Sequence, residues 1–259
     1  MKIPSTPIIT LTTDFSSDLY RGQMKGVILS INEKVQIIDI GHHTRHYDIL
    51  EGAFLIWQVS SRFPPGSIHV GVIDPGVGTF RAGLAIKTDK FYFIGPDNGL
   101  FSLALKDQRI KTIIQIDPSR FEKVSRTFHG RDLFAPLAAH ISLGEKIEDF
   151  GPRIDKIKLL KLKKDSIIYI DEFGNIITSI REISPLAKKV IIHYQDRKIK
   201  AKFAQAFAGV KTGEFVVLRG SSGYLEIDKN KDSAARDLGA KVGEDIEIHS
   251  LPYRGNNSI

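Results

Sequence analysis

The sequence predicts an α/β protein: an N-terminal, mostly parallel sheet with covering helices, followed by a C-terminal all-β, barrel-like domain. Three observations carry this. Strand-like apolar runs alternate with helically spaced ones over residues 1–80. After "FGPRID", from Phe150, the chain turns to β-formers broken by tight turns. Carboxylates stand where two of the early apolar runs end, at Asp14 and Asp74.

The elements follow in order. "PIITLTTDF" reads as a buried strand. "SDLYRGQMKGVILSIN" has helical spacing, with Tyr20, Met24, Val27, Ile28 and Ile31 on one apolar stripe. "VQIIDI" is a second strand, and "YDILEGAFLIWQVSSRF" a second amphipathic helix stopped by "PPG". "SIHVGVID" is a third strand. Two β-rich runs flanking Asp89 and Lys90 predict a hairpin, and "PDNG", Pro96 to Gly99, a turn. "RDLFAPLAAHISLG" is a further helix with Pro136 near its first turn. "VIIHYQDRKIKAKF", "EFVVLRGSSGYLEID" and "EDIEIHSLP" read as strands with tight turns, with a short helix at "SAARDLG". The expected domains are 1–152, α/β, and 153–259, a β-barrel.

Composition narrows the class. Of 259 residues, 42% are hydrophobic and 26% charged, as in a globular chain with a real core. The net charge of +7 is spread over the chain without a basic tail, and no aromatic-basic RNA motif is present, so no nucleic-acid partner is expected. With no cysteine, disulfides, thiol nucleophiles and zinc-thiolate sites are excluded. No apolar run approaches the ~18 residues of a membrane span. Prolines interrupt "MKIPSTPIITL", so a signal peptide is not expected there. A cytoplasmic protein without a membrane partner is the expectation.

Several stretches could carry chemistry. In open α/β sheets ligands sit outside the carboxyl ends of the strands, so Asp14 and Asp74 should share one rim. Helix capping accounts for one of Ser16, Ser17 and Asp18 but not for a carboxylate at the last strand position, which would suit a ribose diol. "DPGVGTFR" lacks the Lys-Ser/Thr pair of a phosphate loop. "FHGRDLFAP" offers His129, Arg131 and Asp132, either as chemistry or as a surface loop with a local ion pair. "HHTRH", His42 to His46, has histidines that cannot all face one way and no helical zinc spacing, so no metal is expected. "DEFGN" is a turn by composition; Phe173 could stack on a base while Asn175 pairs with an adenine edge. The hydroxyls and amides of "GSSGYLEI" could hold a carboxylate.

Taken together, "LTTDF…D.Y.G.MKG", "DPGVGT.R", "PDNGL", "HGRD.FAP.AA", "D.FGN..T.I" and "GS.GYLEI" resemble the S-adenosyl-L-methionine hydroxide adenosyltransferases. These are similar in fold to the enzymes that make 5′-fluoro- and 5′-chloro-5′-deoxyadenosine. The likeness runs from about Leu11 to Asp228. It implies a trimer with each site between one subunit's α/β domain and a neighbour's barrel, where S-adenosylmethionine (SAM) and water give adenosine and methionine. It implies a catalytic set of Asp74, Arg81 and His129. Asp14 would hold the ribose diol, and Tyr47 and Phe128 would be pocket aromatics, with Asp18 and Gly130 also in the binding set. Phe173, Asn175 and Phe207 would lie on the adenine side. Asp171, Ser221 and Ser222 would lie on the methionine side, with Glu226 nearby. No cofactor is implied. The chain departs from the family pattern at Ser16, at Ser179 and over "EIDKNKDSA".

The implied leaving group is a neutral thioether, which needs no general acid. The difficulty is water, whose pKa is about 15.7, so the protein must orient it and take its proton. Two alternatives stand beside hydrolysis: a binding module with negligible turnover, and a 5′-halogenase using chloride. Asp74 would repel a halide, and the chain lacks an obvious insertion between Arg81 and Pro96.

Overall fold

The computed structural model describes residues 6–41, 45–184 and 187–251. The chain divides into two compact units between Leu160 and Lys161. Residues 153–160, which the sequence reading gave to the second domain, pack with the first unit. The Ile154 amide donates to the Ile113 carbonyl, the Lys158 amide to Asp97, and the Leu160 amide to Ser102 Oγ.

The first unit contains β1 (Ile8–Thr13), α1 (Asp18–Ile31), β2 (Gln36–Gly41), α2 (Ile49–Ser60), β3 (Ile68–Val72), β4 (Gly83–Thr88), β5 (Tyr92–Pro96), α3 (Ser102–Leu105), β6 (Ile110–Gln115) and α4 (Ala135–Ser142). The sheet order is β2-β1-β3-β5-β4-β6. β2, β1, β3 and β5 are parallel, while β4 runs antiparallel to both β5 and β6. Period-two alternation sends side chains to both faces. Ile9, Leu11, Ile68, Val70 and Val72 pack with α1 and α4. Leu84, Ile86 and Phe93 pack with Ile56 of α2 and Ala104 and Leu105 of α3 on the other side.

The expected strands, helices and hairpin are present here, but β6 and α3 were not anticipated. The α1 stripe is buried at Met24 and Ile28, whereas Tyr20 is 47% exposed. Ser17 caps α1, accepting from the Leu19 amide. Because β1 and β3 are parallel with Thr13 opposite Val72, their carboxyl ends reach one rim together. Asp14 leaves β1 directly and Asp74 follows β3 by two residues.

The second unit holds β7 (Ile167–Ile170), β8 (Ile176–Thr178), β9 (Lys189–Tyr194), β10 (Arg197–Phe203), β11 (Phe215–Arg219), β12 (Leu225–Lys229), α5 (Ala234–Leu238) and β13 (Glu247–Ser250). Its sheet, ordered β13-β9-β10-β11-β12-β8-β7, is antiparallel except for the β10–β11 pair. The sheet curls until its two ends approach. The Ile167 amide donates to the Glu244 carbonyl at 2.9 Å, and the Gly243 amide to the Ile167 carbonyl at 2.8 Å. Val190, Ile192, Val217, Leu225 and Ile227 fill the concave side with Ala234 and Leu238 of α5. Among the described residues no helix is long and apolar enough to cross a membrane.

Candidate active site

The site begins with the turn after β3. Pro75 to Gly78 reverse the chain, with the Val77 amide donating to the Asp74 carbonyl and the Thr79 amide to the Gly76 carbonyl. Gly78 sits at φ +77°, and a Cβ there would lie 2.5 Å from the Arg126 carbonyl oxygen, so this turn takes only glycine without strain. The reversal returns Arg81 to Asp74. One guanidinium nitrogen, Nη2, lies 2.5 Å from Asp74 Oδ2 and 2.7 Å from His129 Nδ1. The other, Nη1, donates to the Ala82 carbonyl at 2.9 Å.

His129 arrives from a different segment. It precedes a π-helical turn, Gly130–Phe134, that runs into α4. Such turns concentrate at functional sites. A Cβ on Gly130 would stand 3.1 Å from Val72, 3.2 Å from Phe128 and 3.3 Å from Met24, so the glycine lets this turn press onto the end of β3.

The electrostatics follow from stoichiometry. An arginine only donates, so Nδ1 of His129 accepts and the neutral ring carries its proton on Nε2. Both Nη2 hydrogens are thereby committed, one to the carboxylate and one to the imidazole. Burial, then the Arg81 charge, pull the His129 pKa below its ordinary value, which keeps the ring neutral. Burial pushes the Asp74 carboxyl up, opposed by the charge and the hydrogen bond of Arg81. The Asp74 and Arg81 side chains are each only 5% exposed. Asp74 Oδ1 has no hydrogen-bond partner among the described residues, a costly state for a buried carboxylate oxygen.

Asp74 and His129 line a cleft of about 410 Å³ with Asp14, Tyr47, Phe128 and Gly130, and Arg81 holds the two from behind that lining. Asp14 is buried and its Oδ2 accepts from the Tyr47 amide at 2.9 Å. Tyr47 itself is 69% exposed, with φ +69°. Phe15, Tyr20 and Phe128 form a cluster of rings with centroids 5.4–5.7 Å apart. Phe15, Tyr20 and Gln23 also line it without a site role expected from the sequence, and so does Arg131 of the "FHGRDLFAP" cluster. Tyr20 carries a readable signal, the outermost place on the α1 stripe and a position in the "D.Y.G.MKG" motif. Arg131 clamps Asp132 and donates to Gln23 at 2.9 Å. Asp18 is not among the lining residues: its side chain is 95% exposed and pairs with Arg21 in the first turn of α1.

The remaining candidates lie in the second unit. Phe173, Asn175 and Phe207 line a cleft of about 480 Å³ with Lys229, Asp232, Ser233 and Arg236. Asp171 organises the loop beneath them, accepting from the Phe173 and Asn175 amides at 3.0 and 2.8 Å and from Asn175 Nδ2 at 2.9 Å. Ser222 Oγ accepts from the Tyr224 amide, while Ser221 is exposed. Glu226 has its pKa raised by burial and by Asp171. Beside them Asp228, which the sequence gave no reason to single out as buried, is 0% exposed. Burial, Glu226 and Asp171 push its carboxyl up to about 8. Of "HHTRH", His42 and His43 lie outside the described residues.

A polar cleft at the carboxyl ends of parallel strands, followed by a curled β unit, defines a two-unit α/β-plus-barrel architecture. The comparisons with known proteins narrow this to a family. A profile of the SAM hydroxide adenosyltransferase N-terminal domain matches residues 9–151, and one of its C-terminal domain matches residues 165–247. The chain belongs to the SAM hydroxide adenosyltransferase family. An (R)-S-adenosyl-L-methionine hydrolase of Methanocaldococcus jannaschii is 39% identical over 255 residues, which cover 93% of this chain and 95% of that protein. A fluorinase of Nocardia brasiliensis is 23% identical over 291 residues, covering 93% and 96%. A crystal structure of an uncharacterized conserved protein from Thermotoga maritima superposes with a TM-score of 0.88 at 34% identity, covering 93% of this chain and 99% of the other.

Proposed function

We propose that this protein hydrolyses SAM to adenosine and L-methionine by in-line attack of water on the ribose C5′. The observation that carries the reading is the shared guanidinium nitrogen of Arg81, which joins two lining residues of one cleft, Asp74 and His129. In this reading the Asp74 carboxylate accepts a hydrogen bond from the attacking water and takes its proton as the O–C5′ bond forms. A carboxyl held up by burial is a better proton acceptor than an ordinary one. The neutral His129 orients the same water. Arg81 fixes both and tempers the negative charge that builds on oxygen. The C5′–S bond breaks as the new bond forms, and the sulfonium leaves as an uncharged thioether. Collinear placement of oxygen, carbon and sulfur supplies much of the acceleration.

The binding roles are part of the proposal. Asp14 accepts both ribose hydroxyls, while Tyr47 and Phe128 flank the sugar and Gly130 gives it room. Phe173, Asn175 and Phe207 take the adenine. Asp171, Ser221, Ser222 and Glu226 take the methionine end, whose ammonium suits an acidic lining. Asp18 is left with a peripheral part. The two sets are proposed to meet across subunits of a cytoplasmic homotrimer, on the strength of the family resemblance. The reaction as written consumes only SAM and water, with no cofactor. The relatives are named for the R epimer at sulfur, and we propose the same preference here.

Turnover of SAM in ¹⁸O-water with excess chloride tests the reaction. The expected product is adenosine carrying ¹⁸O at the 5′ position. A 5′-chloronucleoside, or no methionine release over hours despite tight binding, would overturn it in favour of halogenation or of a binding module. Parallel assays on the two sulfonium epimers read the stereochemical preference.

A further inference from the structure

Three side chains outside both clefts converge on the end of the curled sheet. β13 pairs antiparallel with β9, placing Glu247 opposite His193 and His249 two residues further along the same face. The inward residues of β9, Val190, Ile192 and Tyr194, are buried, so His193 points outward with the exposed Glu247 and His249. His249 Nε2 lies 2.7 Å from Glu247 Oε2, and the His193 and His249 rings have centroids 4.7 Å apart. One potential ligand atom from each residue falls within 4.8 Å of the other two.

We propose that His193, Glu247 and His249 form a binding site for a borderline divalent cation of the zinc class. Metal–ligand bonds of about 2.0–2.2 Å in a tetrahedral arrangement separate ligand atoms by about 3.4 Å. The observed spacing reaches this with small rotations of exposed side chains. Two imidazoles and one carboxylate suit zinc, nickel or copper, whereas magnesium and calcium favour all-oxygen sets. Three protein ligands leave a position for water.

Glu247 and His249 are exposed, so the site is open to solvent and its role is mechanical. β13 is an end strand whose sheet neighbour is β9, and its inward side chain, Ile248, is only partly buried. An ion held by both strands fastens that strand and stabilises the fold by binding the native state alone.

The test uses the full chain, stripped with a chelator and then titrated with zinc chloride by calorimetry. Thermal melting and hydrogen exchange at residues 247–250 are followed in parallel. One saturable site per chain is expected, with a raised Tm and slowed exchange in β13. His193→Ala and His249→Ala each weaken binding by about tenfold or more and abolish the slowing, while metal-free melting and SAM hydrolysis match the parent. Magnesium chloride produces none of these effects. Zinc binding of parental strength in both variants, or unchanged exchange in β13 on zinc addition, would overturn the assignment.

Discussion

Asp74 and Asp228 are both buried carboxylates, one in each unit, and their surroundings are opposite. Asp74 lies against a guanidinium that also holds an imidazole. Asp228 has neither oxygen hydrogen-bonded among the described residues, and the charges acting on it are the like charges of Glu226 and Asp171. Burial raises both pKa values, but only Asp74 has a cation, Arg81, to oppose it. The first unit therefore carries a charge-balanced set that can hold a reactive carboxylate in place. The second carries a carboxyl that burial and two neighbouring carboxylates hold in its protonated form, with no cation to offset them.

Charge removal should act with opposite sign in the two places. Arg81→Gln strips the counter-charge from a buried pair and is expected to destabilise the fold by about 3–5 kcal/mol. Asp228→Asn should do the reverse. With a folded pKa of about 8 against 3.8 unfolded, the folded state holds a proton the unfolded chain has released. The penalty is absent below pH 4, where both states are protonated, and grows as pH rises toward 8. The variant is expected to gain about 1–3 kcal/mol at pH 7, because the new amide still lacks partners. The gain should vanish near pH 4 in denaturation curves. Equal effects of one sign in both variants would break the comparison.

Smaller effects sharpen it. Asp14→Asn retains an acceptor for the Tyr47 amide but weakens the ribose contact, so KM should rise by about tenfold with kcat less affected. The pH profile of kcat/KM should climb through the raised Asp74 value and then level off. His129, held below its ordinary value, stays neutral across that plateau and adds no alkaline fall.

Much of this arrangement was legible in the sequence because it follows from periodicity and topology. Adjacent parallel strands bring residues just past their ends to one rim, which joins Asp14 and Asp74 without knowledge of side-chain packing. The family resemblance placed Arg81 with Asp74, and the turn from Pro75 to Gly78 is what returns it. What escaped depends on contacts distant in sequence. β6 was missed because Lys111 and Thr112 break its apolar run, and it is recognisable only through pairing with β4. The cleft-edge place of Tyr20 does not follow from the sequence, because a helical stripe looks alike whether it meets a core or a cleft edge. The π-helical turn before α4 leaves no periodic trace. The burial of Asp228 comes from its position on β12 between β11 and β8, which alternation alone does not reveal. Ser17 and Asp18 show the limit of local reading, since both suit a helix start and only Ser17 accepts the capping bond.

The central claim is that Asp74 takes the proton of the attacking water. Single-turnover hydrolysis by Asp74→Asn, with SAM affinity measured on the same preparation, tests it most directly. The expected result is a rate lower by about 10²–10⁴-fold with affinity within a few-fold of the parent. Hydrolysis at the parental rate by a variant that binds SAM normally would contradict it.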